Sequence, residues 1–336
     1  MMHSPLRGRL PAGSRILVAP LDWGLGHAAR CVPLIRRFVQ EGHTVTIATD
    51  GRAGALLRTY FPELEYISLK GYGITYSRHL PLMMKLAFQL PRLLRAIREE
   101  HVWLERLLDR RSFDLVVSDN RYGLWTKKTR TVLVTHQLFL NYPRWMKPAG
   151  RLIDARMHRW IAQFDECWIP DRPGEDNLSG RLSHGQPMPP NARYIGWLSR
   201  FEGMNVSEDA FRKYDRLLLL SGPEPQRSLL EKELLELALN SSVQALLVLG
   251  LPDKPVDRQV HNVRIVSHLD DTALLHAVLY SKNITCRSGY STLMDLMTTR
   301  RTAELIPTPG QTEQEYLADR MKNVFGWTTG SRTKRK

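Results

Sequence analysis

Four short segments of this chain place glycine, hydroxyl, amide and imidazole groups where an apolar run gives way to a helical pattern. In the first, Leu21 to Arg30, Gly24 and Gly26 allow a sharp turn and close approach of the backbone to a ligand. His27 then stands at the mouth of a helix. The positive end of the helix dipole there lowers its pKa and keeps the imidazole neutral, as a general base requires. A capping or hydrogen-bonded structural histidine is the other reading. The glycine pair also falls short of a GxGxxG fingerprint, because position 29 is alanine. In the second segment, Leu219 to Gln226, Ser221 and Gly222 can approach a phosphate. Pro223 and Pro225 cannot donate, so this is not a P-loop, and a tight strand-to-helix turn with proline near its start stays open.

The third segment, Ile284 to Asp295, is the most informative. A strand runs into Arg287, Ser288 and Gly289, and Ser291 and Thr292 begin a helix whose N-terminal amides can bind a diphosphate without a metal. Asp295 lies about one turn inside, where a carboxylate can accept from sugar hydroxyls. The fourth, Ile306 to Ala318, is a proline-glycine loop followed by Gln311, Thr312, Glu313, Gln314 and Glu315, a cluster suited to polyol hydroxyls. Helix capping and acids complementing a helix dipole explain the same residues without any ligand. Asp270 and Asp271, just before Thr272, read more simply as helix caps than as a metal-binding DxD pair.

The elements that must hold these turns alternate. Strands are expected at 15–20, 44–48, 115–117, 131–134 and 166–169, with a helix at 28–40 and further helical stretches between most of them. The pattern restarts with strands at 216–220, 245–249, 263–266, 283–286 and 302–306 and helices at 226–237, 272–280, 292–298 and from Thr312. Such alternation implies an α/β fold with parallel sheets covered by helices on both faces. Two tandem doubly wound domains follow: residues 14–198, a linker at 199–212, a second domain at 213–325 and a basic tail at 326–336. Ligands in such sheets bind beyond the carboxyl ends of strands, where the four turns fall.

At 336 residues the chain suits two domains of ordinary size, and 43% hydrophobic with 24% charged residues is ordinary for a globular protein with real cores. No apolar run is long enough to span a membrane, and the run at 16–21 is too short for a signal-peptide core. Three widely spaced cysteines suggest neither a disulfide framework nor a metal site, so a reduced, cytoplasmic setting is expected. The formal charge of +14 favours an anionic partner. Nucleic acid is the weaker choice, because no zinc-finger spacing, aromatic RNP motif or basic zipper is present. Residues 78–98 carry five Lys or Arg and no acid among leucine, methionine and phenylalanine. That composition fits either a core helix with a basic outer face or a segment lying on an anionic membrane surface.

Together the four segments resemble the MurG-like branch of the GT-B glycosyltransferases, with the C-terminal domain of the family 28 type. The most specific stretch is His268 to Ala318. Leu269 to Asp271 looks like the segment facing the nucleobase, and Cys286 to Gly289 like the phosphate loop. Asp295 takes the place of the ribose-binding glutamate, and Gln314 and Glu315 fall where donor-sugar amides lie. Gly24 to His27 is similar to the glycine loop bearing the catalytic base. The resemblance implies two Rossmann-like domains facing across a cleft. It implies an inverting, metal-independent transfer, without cofactor, from a UDP-sugar donor to a glycan or glycolipid acceptor. Arg287 would stabilise the departing diphosphate, and the enzyme would act in the cytoplasm, peripheral on the inner face of the membrane. The second-domain GGS-type loop of the family is replaced here by Ser221 to Pro225, and little chain remains for a C-terminal crossing helix. A nucleotide-sugar hydrolase sharing the GxGHxxR pattern of Gly24 to Arg30, and a non-catalytic nucleotide-sugar-binding protein, are the competing readings.

Overall fold

The computed structural model describes residues 10–22, 24–72, 82–142 and 147–330. The chain separates into two compact units, and the last boundary between them falls between Leu198 and Ser199.

The first unit is built on β1 (Arg15–Pro20), α1 (Leu25–Gln40), β2 (Thr44–Ala48), α2 (Gly51–Tyr60), β3 (Glu65–Ile67) and α3 (Leu82–Leu108). It continues through β4 (Leu115–Asp119), β5 (Arg130–Val134), α4 (Lys147–Ile161), β6 (Glu166–Ile169) and β7 (Ala192–Tyr194). Its seven strands are all parallel, in the order β3-β2-β1-β4-β5-β6-β7. Residues 16–19 of β1 and 115–117 of β4 have no exposed surface. A strand covered on both faces must be apolar without alternation, and these two runs are. From β1 the chain steps to one side through β2 and β3, then crosses to β4 on the other. Open sheets form a ligand crevice at such a reversal.

The second unit repeats the plan with β8 (Arg216–Leu219), α5 (Gln226–Leu239), β9 (Ala245–Val248), β10 (Asp257–Val260), β11 (Val263–Val266) and α6 (Asp271–Tyr280). After these come β12 (Asn283–Cys286), α7 (Tyr290–Thr298), β13 (Glu304–Leu305), α8 (Thr312–Phe325) and β14 (Thr328–Thr329). The strand order is β10-β11-β9-β8-β12-β13-β14, parallel except for the β10–β11 hairpin. The reversal lies between β8 and β12, so the turns at Ser221 and Ser288 emerge side by side. Leu218, Leu230, Leu234, Leu247 and Ile265 form the core on one face of this sheet.

Two sequence expectations change. Residues 199–212 are not a free linker. Ser199 and Arg200 bond Asp295, Tyr280 donates to the Val206 carbonyl (3.2 Å) and His276 donates to the Glu208 carbonyl (2.8 Å). Polar composition suggested a linker, but these residues are held through their backbone carbonyls and two side chains. The second domain also runs past 325. Gly326 ends α8 in the left-handed conformation (φ 70°), which needs no Cβ, and β14 then joins the sheet edge. In the basic segment, residues 78–81 and the side chains of 82–90 lie outside the described residues. Beyond them α3 turns Ile97, Glu100 and Leu104 into the core and Arg92, Arg95 and Arg98 outward, as a core helix with a basic outer face does.

Candidate active site

In the first unit, β1, β4 and β5 end level with one another: Pro20 pairs with Asp119, and Asp119 with Val134. The α1 residues at i, i+3 and i+4 (His27, Arg30 and Cys31) share one helix face and meet Asp119 there. Arg30 donates from Nε to Asp119 Oδ2 (2.6 Å) and from Nη2 to Oδ1. Its Nη1 lies 3.1 Å from Nδ1 of His136, which follows β5. His27 Nδ1 lies 3.1 Å from Asp119 Oδ1 and 3.0 Å from Arg30 Nη2.

Electrostatics fix the protonation states. Burial lowers the pKa of His27 and the Arg30 guanidinium lowers it further, while Asp119 opposes them; the net shift is downward and the ring is neutral at pH 7. The sequence argument credited the helix dipole; burial and the Arg30 charge act in the same direction. Burial alone would raise the Asp119 carboxyl. The Arg30 charge and the hydrogen bonds from Arg30 and His27 outweigh it and hold the group well below the usual carboxylate range. His27 Nδ1 faces both the Asp119 carboxylate and the Arg30 guanidinium; in the tautomer whose Nδ1–H donates to Asp119, Nε2 keeps its lone pair for a proton. Asp119 and His136 were missed in the sequence, and Arg30 entered only as the last residue of the GxGHxxR pattern. Only the Asp-Asn pair ending an apolar strand marked the first of them.

In the second unit the phosphate-loop residues divide by what they touch. No side chain caps α7, whose N-cap is Gly289. A Cβ built on Gly289 meets nothing within 4 Å, so the space beyond this helix start is open. Ser291 and Thr292 are partly buried in its first turn. Gly222, in the turn after β8, has φ 101°, a conformation that requires glycine, and with half-buried Ser221 it lies near Thr308. Half-buried Leu269 precedes Asp270, which caps α6 by accepting from the Ala273 amide (2.8 Å).

Several expected ligand contacts are directed inward. Arg287 is fully buried and donates to the carbonyls of Ile306 (3.0 Å), Pro307 (2.9 Å) and Gln226 (3.0 Å). It ties three loops together and presents no guanidinium to a diphosphate, which corrects its expected role. The Asp295 carboxylate accepts from Ser199 Oγ (2.7 Å) and Arg200 Nε (3.0 Å). Both its oxygens are engaged, so it is not presented to a ribose as expected. The Ser288 hydroxyl donates to the Gln314 carbonyl (2.7 Å), and Gln314 Oε1 accepts from the Thr308 amide (2.9 Å). Exposed Glu315 accepts from the Gly310 amide (2.8 Å). Gln311 stands at the α8 N-cap without capping the helix. Among the described residues, no group of three or more His, Cys, Asp or Glu is placed to hold a metal ion, and no helix is long and apolar enough to cross a membrane.

No protein-family model matches the chain. An uncharacterized glycosyltransferase of Methanosarcina acetivorans is 24% identical over 244 residues, covering 67% of this chain and 59% of its own length. The chain therefore spans less than two thirds of that curated relative. Among solved structures, Phytolacca americana UGT2 complexed with UDP-2-fluoroglucose and pterostilbene superposes with a TM-score of 0.58 at 13% identity, over 96% of this chain and 87% of that one. Acinetobacter baumannii MurG gives 0.51 at 12%, with the same coverages. Arabidopsis thaliana UGT89C1 complexed with UDP-L-rhamnose gives 0.58 at 12%, over 96% and 86%. At such identities the likeness establishes the fold. The two Rossmann-like units have the GT-B fold that these solved glycosyltransferases share.

Proposed function

We propose that the protein is an inverting glycosyltransferase that moves a sugar from a nucleotide diphosphate, UDP, to an acceptor hydroxyl. The observation that carries this reading is the neutral His27 held by Asp119 at the strand-order reversal of the first sheet. His27 Nε2 takes the acceptor's proton as the oxygen bonds to the anomeric carbon and the bond to the diphosphate breaks. The proton stays on the imidazole, whose positive charge Asp119 stabilises, and the electron pair leaves with the diphosphate. The uncapped start of α7, with Gly289 open before it, receives that negative charge through backbone amides, which suits a metal-independent reaction. Nucleotide-sugar complexes of structures sharing the fold support UDP as the base-bearing half of the donor. The acceptor would be a glycan or glycolipid met in the cytoplasm at a membrane face; the outward Arg92, Arg95 and Arg98 of α3 suit the anionic surface alone.

The test is a thermal-shift panel of nucleoside diphosphates, without metal, on the wild type and on Gly289→Leu. The leucine side chain points into open space, so folding should be unharmed while the phosphate position is blocked. Stabilisation by UDP in the wild type that is lost in Gly289→Leu is expected. No shift with any nucleotide sinks the donor assignment.

A further inference from the structure

Asn120 directly follows the carboxylate that meets His27, and its backbone lies in the left-handed region (φ 56°). Every other residue with positive φ among those described is glycine, except His261 and Arg300, which stand in exposed positions. Asn120 is half-buried at the end of β4, where β1, β4 and β5 finish level and the strand order reverses. Glycine holds this conformation with less strain, so the turn alone does not call for an amide. An asparagine in a turn ordinarily bonds nearby backbone. This one does not: its Oδ1 is buried and has no hydrogen-bond partner among the described residues. Its backbone N–H already donates to the Val134 carbonyl (3.1 Å), which leaves the side chain as what the residue has to offer. The turn is locked on its far side. Arg121, with no exposed surface, donates to the carbonyls of Pro20, Leu69 and Lys70 (3.0 Å each) and to Glu100 Oε1 (2.6 Å). Its own carbonyl accepts from Ser118 Oγ (2.6 Å), and the Tyr122 amide donates to the Tyr72 hydroxyl (3.0 Å). Strained backbone persists only where its surroundings over-determine it, and such positions cluster at functional sites.

We infer that Asn120 Oδ1 accepts a hydrogen bond from a second hydroxyl of the acceptor, adjacent to the one His27 deprotonates, so that the acceptor is a polyol rather than a lone alcohol or phenol. This rests on the transferase reading above and names its acceptor class from a residue outside the base and its partners. A buried acceptor oxygen requires a donor, and a polyol brings one beside the oxygen that attacks. Paired there, the second hydroxyl fixes the orientation of the first against His27 Nε2. A monohydroxylic compound leaves Oδ1 dry and unpaired, which is how a site rejects a ligand that lacks a hydroxyl. Arg121 is then a positioning residue: it touches no substrate and holds the turn that presents the amide.

The experiment measures UDP release from UDP-glucose, UDP-galactose and UDP-N-acetylglucosamine by the wild type and Asn120→Gly. The acceptors are octyl glucoside, octyl galactoside, their monodeoxy analogues, octanol and phenol. With an octyl glycoside that responds, Asn120→Gly should lower kcat/KM roughly tenfold to hundredfold. One analogue, lacking a hydroxyl adjacent to the attacked one, should cost the wild type the same factor. It should cost Asn120→Gly nothing further, since both changes remove one hydrogen bond. The ligand-free melting temperature of Asn120→Gly should be equal or higher, because glycine relaxes the backbone, and its UDP thermal shift should be unchanged. Equal turnover by the two proteins would mean that internal water satisfies Oδ1, and would overturn the inference. So would additive losses on every deoxy analogue, a uniform loss that extends to octanol and phenol, or a wild type that prefers either of those to the glycosides. Acceptor-dependent release without the deoxy coupling removes this inference alone. UDP binding with no acceptor-dependent release removes the transferase reading, and this inference falls with it.

Discussion

Replacing Asp119 with asparagine is the most searching perturbation of the first unit. The side chain keeps its size but loses the charge that faces Arg30, whose guanidinium is only 2% exposed. Breaking a buried ion pair by removing one partner costs about 3–5 kcal/mol, since the remaining charge cannot return to water. In a unit of this size that is a loss of roughly 6–20 °C in melting temperature, at about 2–4 °C per kcal/mol. Chemical denaturation of the wild type and Asp119→Asn across pH measures it. The Asp119 carboxyl titrates below its unfolded value of about 3.9. Its contribution is therefore complete above that pH and is lost as pH falls through the folded value. The stability gap between the two proteins should hold steady from pH 7 to 8, where His27 is neutral in both, and narrow in strong acid as the Asp119 carboxyl is protonated. The double variant Arg30→Met/Asp119→Leu should recover most of the loss, because removing both charges leaves neither stranded. A gap below about 1 kcal/mol at pH 7, or one that does not narrow in acid, would refute the reasoning.

Two further outcomes follow from the same geometry. His27 is held neutral by burial and Arg30, so the acid limb of the kcat/KM profile should lie below the ordinary histidine value of about 6.5. His27→Ala should cost transfer about 10²–10⁴-fold while leaving the UDP thermal shift intact, and a limb at 6.5 or above would remove His27 from the base role. Arg287→Met should destabilise the second unit by roughly 3 kcal/mol or more, because three buried carbonyls lose a charged donor. A variant of wild-type stability that no longer binds UDP would instead restore a direct phosphate contact for Arg287.

Much of the fold was legible. The strands at 15–20, 44–48, 166–169, 263–266 and 283–286 match the observed limits, because short, largely apolar runs rich in β-branched residues stand between turn residues there. Elements with weak local signals were missed. The helix α2 contains two glycines and rests on its Asp50 cap, while β7 and β14 are too short to show a period. Within the site, position was readable and partnership was not. Arg287 and Ser288 do lie at a strand-to-helix turn, and Asp295 and Gln314 in the helices that follow such turns, but the type of a side chain does not say whether it faces the ligand or the loop behind it.

The sequence by itself determined the two-fold α/β plan, the glycine turns at 24, 222 and 289, and the histidine that opens α1. Each of these depends on local backbone sterics and on periodicity over a few residues. Only the tertiary structure decided what those groups meet. His27 finds Asp119 from 92 residues away, and Arg287 finds Gln226 from 61. Such pairings depend on which strands lie side by side and in what register. Close packing of the buried sheet sets that order, and no stretch of a few residues contains it.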